Sequence, residues 1–403
     1  MTPMTDITDR FRNIRPLLDS EVPETVARLI ADEGFKRAVE PIMKPLSWEQ
    51  FSGIVTRCKS KDDFQAQIIH PLLKQLIHQT TTKMVGTGWE NIKKENSYLF
   101  ISNHRDIVLD AAFFNILLFD KQFQTTEIAI GDNLLIHPWI TDLVRINKSF
   151  IVKRSVSVRE MLKVSRQLSN YIHHTINQRA QSIWIAQREG RAKDSNDKTQ
   201  TSLLKMLTLH DSAKPLEMLH QLSIVPLSIS YEYDPCDFLK AKEFQLKRDA
   251  TGHKKTEADD IENMGTGIMG FKGRVVFRLG ECINRSLEAI PAETNRNEVL
   301  DRAAALIDNE IYRNYSFFPI NYIAYDRMSS SDQFRDEYCD EEIAHFDAYL
   351  QRQVDKINIP NKDGDFLRDK IIEMYGNTVK NHLEIVDTSK GQKRLPSNQV
   401  RGC

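Results

Sequence analysis

A histidine with two nearby carboxylates is the part of the sequence best suited to chemistry. His104 follows the apolar run Tyr98–Ile101, with Asp106 two residues later and Asp110 six residues later. A carboxylate bonded to one ring nitrogen fixes the tautomer of a histidine, so that the other nitrogen can take a proton from a hydroxyl. The segment therefore indicates a general base, although a helix N-cap at Asp106 beside an incidental histidine is the simpler structural alternative.

In two later segments, cations follow an apolar run. A third segment is a strand-like run with a proline near its start. Guanidinium groups bind phosphate or carboxylate through paired hydrogen bonds, and a glycine allows close backbone approach or a positive φ. Side chains at the ends of parallel strands meet in the crevice where open α/β sheets bind ligands. We therefore expect an anionic ligand beside His104. The residues concerned are Lys153 and Arg154 in the first segment, Glu189, Gly190 and Arg191 in the second, and Val225 and Pro226 in the third.

Alternating β-rich runs and helical stretches must position these residues. The pattern predicts an α/β fold with a mixed, largely parallel central sheet flanked by helices, and with additional helical regions towards both ends of the chain. The predicted strands are 98–102, 127–130, 150–153, 182–186, 223–231 and 274–279. The predicted helices between them are 108–119, 137–145, 157–179 and 199–210.

The same patterns divide the chain into four parts. Residues 1–81 are predicted to be helical, 82–290 to form the α/β domain, 291–380 to be helical again, and 381–403 to form a disordered tail. Within the α/β domain, the charged and glycine-rich stretch 234–272 is predicted to be a solvated, mobile loop. Its alternative role is a basic lip for an acidic carrier protein or for anionic lipid headgroups.

The composition of the chain argues against several classes of protein. The 55 basic and 56 acidic residues nearly cancel, which argues against nucleic-acid binding by bulk charge. No apolar run reaches the roughly eighteen residues that a spanning helix needs, and the amino terminus carries charges where a signal peptide would be apolar. Five scattered cysteines without a C-x-x-C pair indicate reduced thiols and no zinc site. We expect a cytoplasmic protein that is peripheral on the inner face of the membrane.

Four blocks in this order resemble the motifs of the glycerophospholipid acyltransferase superfamily, which includes lysophosphatidic acid and glycerol-3-phosphate acyltransferases. That family carries N/S-H-x-x-x-x-D, F-I-x-R or F-F-I-R-R, F-P/V-E-G-x-R and V-P-V/I. The resemblance extends over residues 82–290, and its last three blocks are nearer to the glycerol-3-phosphate branch. The matching residues are Asn103 and His104, then Phe150, Ile151, Lys153 and Arg154, then Glu189, Gly190 and Arg191, and finally Val225 and Pro226.

The resemblance implies transfer of a fatty acyl group from a thioester, on coenzyme A or acyl carrier protein, to a hydroxyl of glycerol-3-phosphate or 1-acyl-glycerol-3-phosphate in phospholipid biosynthesis. It implies that His104 is the general base, oriented by Asp110 or else by Asp106. The acyl carrier is a co-substrate, and neither a metal, nor another cofactor, nor a nucleic-acid partner is expected. A membrane surface is implied as a further partner.

The resemblance also implies how the substrates are held. Cations would clamp the acceptor's phosphate, Glu189 would accept from an acceptor hydroxyl or from a cation, and backbone N–H groups near Gly190 would meet the oxyanion. The apolar helix after His104 could line an acyl tunnel or belong to the ordinary core. Trp48 and Phe51 could contact the bilayer or pack between helices. The implied cations are Lys153, Arg154 and Arg191.

Two departures from the family pattern leave open a drifted or inactive site, and the same scaffold also allows a different acceptor. Five residues separate His104 from Asp110, where the family has four, and one extra residue turns a helical side chain by about 100°. Arg191 follows Gly190 directly, where the family leaves a residue between them. One alternative is an O-acyltransferase for an amino-acid-containing lipid, whose carboxylate would occupy the cationic clamp. The other is a non-catalytic module that binds lipid or acyl carrier.

Overall fold

A seven-stranded sheet forms the centre of the protein. The computed structural model describes residues 10–388 apart from 155, 211–213 and 251. The strands are β1 Lys83–Thr87, β2 Leu99–Ser102, β3 Glu127–Gly131, β4 Ser149–Val152, β5 Ile183–Ala186, β6 Ile224–Tyr231 and β7 Arg274–Leu279. They lie in the order β1-β7-β6-β2-β5-β3-β4.

All neighbouring strands are parallel except β6 and β7, which confirms the predicted mixed, largely parallel sheet. The carboxyl ends of β2 to β6 therefore share one edge of the sheet, where ligands bind in open α/β folds. The six predicted strands are present within one residue at each end. Strand β1 was not predicted, because its sequence Lys-Met-Val-Gly-Thr has a glycine and few β-branched residues to identify an edge strand.

Helices surround the sheet. They are α1 Val22–Ala31, α2 Glu33–Met43, α3 Trp48–Val55, α4 Lys61–Phe64, α5 His70–Thr80, α6 Leu109–Asp120, α7 Pro138–Ile146, α8 Val158–Asn177, α9 Thr201–Leu207, α10 Pro215–His220, α11 Asp237–Asp249, α12 Glu257–Met269, α13 Asn284–Glu288, α14 Arg296–Arg313, α15 Pro319–Ser329, α16 Asp340–Asp355 and α17 Gly364–Thr388. The four helices predicted between strands correspond to α6, α7, α8 and α9, within three residues at each end.

The central strands are buried on both faces, because helices cover the sheet from both sides. On one face Leu99 belongs to an apolar cluster with residues of α8, α9 and α14. On the other face Phe100 and Trp184 share a cluster with Phe113 and Phe114 of α6. Phe113 and Phe114 are fully buried, so this part of α6 is ordinary core and not the wall of an acyl tunnel.

Helices α1 to α5 form a separate apolar cluster beside the sheet. Phe51 is buried and its ring lies 6.4 Å from that of Phe35. Trp48 is half-buried against Phe51, with ring centroids 5.9 Å apart. Ile146 of α7 belongs to the same cluster and joins it to the sheet region. Phe51 therefore packs between helices, and the alternative of a bilayer contact is wrong for this residue.

The stretch 234–272 is not the mobile loop that its charges predicted, because α11 and α12 occupy most of it. Helix α12 begins with a capping box, in which Thr256 Oγ1 accepts from the Asp259 N–H and the Asp259 carboxylate accepts from the Thr256 N–H. The predicted glycine-rich loop segment lies within the last turns of α12 and just after it.

Buried cations explain why this stretch resembled a solvated surface in sequence. Lys240 of α11 is 1% exposed and pairs with Asp234. Lys272 is fully buried, and its ammonium group donates to the Ile268 and Gly270 carbonyls at the end of α12, at 3.1 and 2.6 Å. Burial lowers the pKa of Lys272 to about 8. A cation at a helix C-terminus satisfies carbonyls that have no partner within the helix.

The C-terminal helices α15 to α17 pack on one another and on α11. Helix α17 continues to Thr388, so the predicted tail is helical over 381–388, and its remaining part, 389–403, lies outside the described residues. Among the described residues, no helix is both long enough and apolar enough to cross a membrane.

A buried carboxylate ties these helices to the sheet region. Asp237, at the start of α11, accepts from Gln353 Nε2 at 2.5 Å, from Tyr349 Oη at 2.5 Å and from Tyr375 Oη at 2.9 Å. Gln353 and Tyr349 belong to α16, and Tyr375 belongs to α17. Burial outweighs these hydrogen bonds and raises the pKa of Asp237 to about 7.

The substitution Asp237→Asn is expected to flatten the pH dependence of stability between about pH 4 and pH 7. In this range the unfolded carboxyl, with a pKa of 3.8, has lost its proton while the buried carboxyl keeps it, so the free energy of unfolding falls as the pH rises. The contribution of Asp237 to the free energy of unfolding that is lost over this pH range is on the order of 4 kcal/mol. Urea unfolding of both proteins across this range measures it, with the exposed Asp365→Asn as the control. Equal slopes for Asp237→Asn and the unsubstituted protein would contradict the prediction.

Candidate active site

The turn between β2 and α6 brings His104 onto Asp110. His104 Nδ1 lies 2.8 Å from Asp110 Oδ2, and the Asp110 side chain is fully buried. The same oxygen accepts from the backbone N–H groups of Arg105, at 2.6 Å, and Asp106, at 3.1 Å. The turn folds around this carboxylate before α6 begins at Leu109, and so it absorbs the extra residue of the five-residue spacing.

Asp106, the alternative partner of His104, has a different position. Its Oδ1 accepts from the backbone N–H groups of Val108 at 2.9 Å and Leu109 at 2.7 Å, so it holds the turn that leads into α6. Burial, followed by the charge of Asp110, raises the pKa of Asp106. Of the two candidate carboxylates, the one that contacts the imidazole is Asp110.

Asn103 fixes the end of β2 to the neighbouring strand. Its Oδ1 accepts from the Ile229 N–H at 2.8 Å, and its Nδ2 donates to the Ile229 carbonyl at 2.9 Å. The buried side chain thus acts as one more rung between β2 and β6. The asparagine of the first motif therefore sets the backbone position from which His104 projects.

Arg105 anchors the turn from the other side. It forms a bidentate pair with Asp197, with Nη1–Oδ1 and Nη2–Oδ2 distances of 3.2 and 2.5 Å. Both side chains are almost entirely buried. Burial alone would lower the pKa of Arg105, but the charge and hydrogen bonds of Asp197, together with Tyr315 and Asp234, outweigh burial and raise it. Tyr315 Oη donates to Asp197 Oδ2 at 2.7 Å, and Lys240 Nζ donates to the Arg105 carbonyl at 3.4 Å.

One ring nitrogen of His104 is hydrogen-bonded and the other is not. Its side chain is 13% exposed, and its centroid lies 5.9 Å from the Trp184 ring in an edge-on arrangement. Nε2 has no hydrogen-bond partner among the described residues. A histidine held through Nδ1 by a carboxylate and open at Nε2 has the geometry needed to take a proton from a hydroxyl.

The predicted substrate-binding residues separate into two groups. Arg154, a third exposed, lies 3.6 Å from the carboxylate of Glu189, and its backbone N–H donates to Asp132 Oδ1 at 3.1 Å. Lys153 is half-buried and forms no salt bridge with a described residue. These residues follow β3, β4 and β5, so they lie on the edge of the sheet that also carries His104.

Gly190 has the positive φ that its residue type allows, at 68°, and no atom lies within 4 Å of the place a Cβ would take. The expected oxyanion contact near it is partly excluded, because the Glu189 N–H already donates to Gln200 Oε1 at 2.9 Å. Gly190 is exposed.

Arg191 lies among different partners. Its Nη2 donates to Asn263 Oδ1 of α12 at 2.8 Å. Burial would lower the pKa of Arg191, but Cys236, Asp234 and Asp106 together raise it. Arg191 therefore connects α12 to the buried charges beside the turn between β2 and α6, whereas Arg154 contacts Glu189 at the open edge.

Helix α12 covers the turn at its closest point. A Cβ at Gly267 would lie 2.0 Å from Asp106 Oδ2, so only glycine allows this approach. Sequence reasoning missed this contact, as well as Arg105, Asp197 and Asn263. The glycines of 265–270 were a signal of close backbone approach, but the surrounding charges favoured a loop. For Asp197 no local pattern marked the residue.

The single substitutions Arg105→Met and Asp197→Leu are each expected to cost about 3–5 kcal/mol of unfolding free energy, because each leaves the partner's charge buried and unpaired. The double variant is expected to lose less than the sum of the two, since it removes both charges. Urea unfolding of the four proteins measures the coupling energy. Strictly additive losses would mean that the two charges do not stabilise each other.

Comparison with known proteins supports the motif assignment. Residues 83–230 match the family model for acyltransferases, a span that runs from β1 to β6 and includes all four motifs. No curated protein matched the sequence. A solved structure described as the 1-acyl-sn-glycerophosphate (LPA) acyltransferase PlsC from Thermotoga maritima aligns at 14% identity, covering 76% of this chain and 98% of that chain, with a TM-score of 0.34.

That structural likeness is low, so the assignment depends on the family model and on the motifs. The matched span contains His104, Asp110, Arg154 and Glu189, which the fold gathers at one edge of the sheet. Residues 83–230 therefore form an acyltransferase domain, and its four motifs resemble those of the glycerophospholipid acyltransferase superfamily.

Proposed function

We propose that this acyltransferase moves a fatty acyl group from an acyl thioester, on coenzyme A or acyl carrier protein, to the hydroxyl of glycerol-3-phosphate or 1-acyl-glycerol-3-phosphate in phospholipid biosynthesis. The observation that carries the proposal is the His104–Asp110 pair, joined at 2.8 Å, with Nε2 of the ring open. The pair stands at the same edge of the sheet as Arg154, a cation suited to an anionic acceptor.

The proposed step needs one base and no covalent enzyme intermediate. His104 Nε2 takes the proton of the acceptor hydroxyl while that oxygen bonds to the thioester carbonyl carbon. The carbon–sulfur bond then breaks, and the thiolate takes back one proton to leave as the free thiol of the carrier. Asp110 holds the ring and stabilises the imidazolium between the two proton transfers. General-base catalysis of this kind raises the rate roughly 10²- to 10⁴-fold.

Arg154 and Lys153 are proposed to hold the acceptor's phosphate. Arg154 is partly exposed, and among the described residues its guanidinium group forms one salt bridge, a loose one with Glu189 at 3.6 Å. A phosphate offers several acceptor oxygens to such a guanidinium group and would compete well for it. Glu189, two-thirds exposed, is then free to accept from an acceptor hydroxyl. Arg191 is proposed to act indirectly, by holding α12 beside Asp106.

Contact with a membrane surface is part of the proposal, because a long-chain product must be delivered there. Helix α8 begins shortly after Arg154, and its first turns expose Met161 and Leu162 at 45% and 57%. Arg159 and Lys163, both exposed, flank these two side chains. Apolar side chains among exposed cations are typical of a surface that docks on anionic lipid.

The intact contact between His104 and Asp110 favours an enzyme over a non-catalytic binding module. A module without chemistry would have no use for a buried carboxylate that fixes a histidine tautomer at the open edge of the sheet. The amino-acid-lipid acceptor remains the competing enzymatic proposal, since a carboxylate can also pair with Arg154.

His104→Ala is expected to lower acyl transfer by at least about 100-fold, because no other described side chain replaces the imidazole on Asp110. Asp110→Asn should lower it as well, since the amide does not stabilise the imidazolium. The assay follows release of the free thiol from an acyl-coenzyme A or acyl carrier protein donor with glycerol-3-phosphate as acceptor.

The exposed His345→Ala serves as the control for loss of a histidine. Circular dichroism and urea unfolding establish that the His104 variant keeps the fold. Full activity of a folded His104→Ala protein would refute the proposed role of this residue.

Arg154→Gln is expected to raise KM for an anionic acceptor about tenfold with a smaller change in kcat, because the guanidinium group binds the phosphate and does not take part in proton transfer. Mass spectrometry of lipids made from a labelled acyl thioester and a mixed pool of acceptors identifies the preferred acceptor for both proteins. The exposed Arg57→Gln, on the N-terminal helices, controls for net charge. An unchanged KM for every anionic acceptor would exclude Arg154 from the binding site.

A further inference from the structure

An apolar groove of about 410 Å³ lies between α12 and α16. Its size falls in the range of small-molecule sites, about 300–1,000 Å³. Its apolar walls are formed by Pro235, Phe238, Phe271 and the ring of Tyr349. Phe271 is 55% exposed, so a large ring borders the groove without a protein cover.

Two cations stand at the end of this groove. Arg352, in the last turn of α16, and Lys356, at its C-cap, line the groove and are exposed. Neither forms a salt bridge with a described residue, although most other cations near α11 and α12 are paired. Lys356 Nζ lies 5.1 Å from the centre of the Phe238 ring, which places the charge at the edge of the apolar wall.

The wall of the groove is held in place by the buried network described above. Tyr349 and Gln353, which line it, both donate to Asp237, at 2.5 Å each. The side chains of α16 are therefore preorganised. Thr266 of α12 and Gly270, the C-cap residue of that helix, also line the groove, and Gly267 between them lies against Asp106.

We propose that this groove binds a single-chain anionic amphiphile, with the alkyl chain between Phe238, Phe271 and Tyr349 and with the carboxylate or phosphate headgroup at Arg352 and Lys356. The chain supplies apolar contact and the headgroup neutralises the two cations. The residues that line the groove do not include His104, Asp110, Arg154 or Glu189, and the site is assigned a role in binding, not in chemistry. Because α12 forms one wall, an occupied groove restrains the helix that covers the catalytic turn.

Binding is tested on the full chain with cis-parinaric acid as a fluorescent fatty-acid probe and without any acyl donor. The result therefore does not depend on catalysis, and it can fail while acyl transfer is found, or the reverse. Saturated fatty acids of eight, ten and twelve carbons compete with the probe, and their affinity is expected to rise about fourfold for each added methylene. Competition that does not change with chain length would overturn the proposal.

Two variants locate the site. Thr266→Phe fills the groove and is expected to abolish saturable probe binding, whereas Ala258→Phe adds the same ring to an exposed position of α12. The double variant Arg352→Gln with Lys356→Gln is expected to weaken the binding of dodecanoate about tenfold. The binding of dodecanol, which has the same chain without a charge, should be unchanged. Lys121→Gln with Lys362→Gln, both exposed, is the matched charge control.

Two sources of the anionic chain are separated by direct competition between dodecanoate and a lysophosphatidate of the same chain length. Tighter binding of either one supports the proposal and identifies the headgroup. If neither displaces the probe, or if both groove variants bind as the unsubstituted protein does, the groove is not an amphiphile site. The charge variant keeps the test decisive if Thr266→Phe does not fold.

Discussion

The buried carboxylate of Asp110 sets the geometry on which the rest of the site depends. One oxygen accepts from His104 Nδ1 and from the backbone N–H groups of Arg105 and Asp106. Burying a charged group is costly unless it is hydrogen-bonded, so the turn cannot relax without leaving this carboxylate unsatisfied. Its place in the first turn of α6 adds the favourable field of a helix N-terminus. The same group thus shapes the turn, starts the helix and orients the ring.

The central strands β2, β5 and β6 were predictable because each is buried over nearly its whole length and is therefore a largely apolar run. Leu99–Ser102 and Ile183–Ala186 are examples, and their ends marked the edge where charged residues gather. The same rule failed for Asp237–Asp249 and Glu257–Met269. There the hydropathy pattern is diluted by charges such as Lys240, which are buried in pairs and are indistinguishable in sequence from solvated ones.

The local part of the site was also predictable, whereas its long-range part was not. Asn103 to Asp110 form one continuous turn, so their roles follow from spacing and residue type. Arg105 and Asp197 are 92 residues apart, and nothing in sequence identifies which distant carboxylate a given arginine will meet. Arg191 was expected at the acceptor's phosphate because the family resemblance implies it, and its hydrogen bond to Asn263 of α12 is a long-range contact that the motif does not predict. Such buried pairs depend on the packing of helices that the pattern itself did not predict.

The contact of Gly267 with Asp106 has a consequence for the route by which molecules reach the imidazole. With a Cβ position only 2.0 Å from the carboxylate oxygen, the backbone of α12 rests on the turn with no clearance. Nothing can pass between them while that contact persists. An approach to the imidazole between α12 and this turn would therefore require the helix to move away from Asp106.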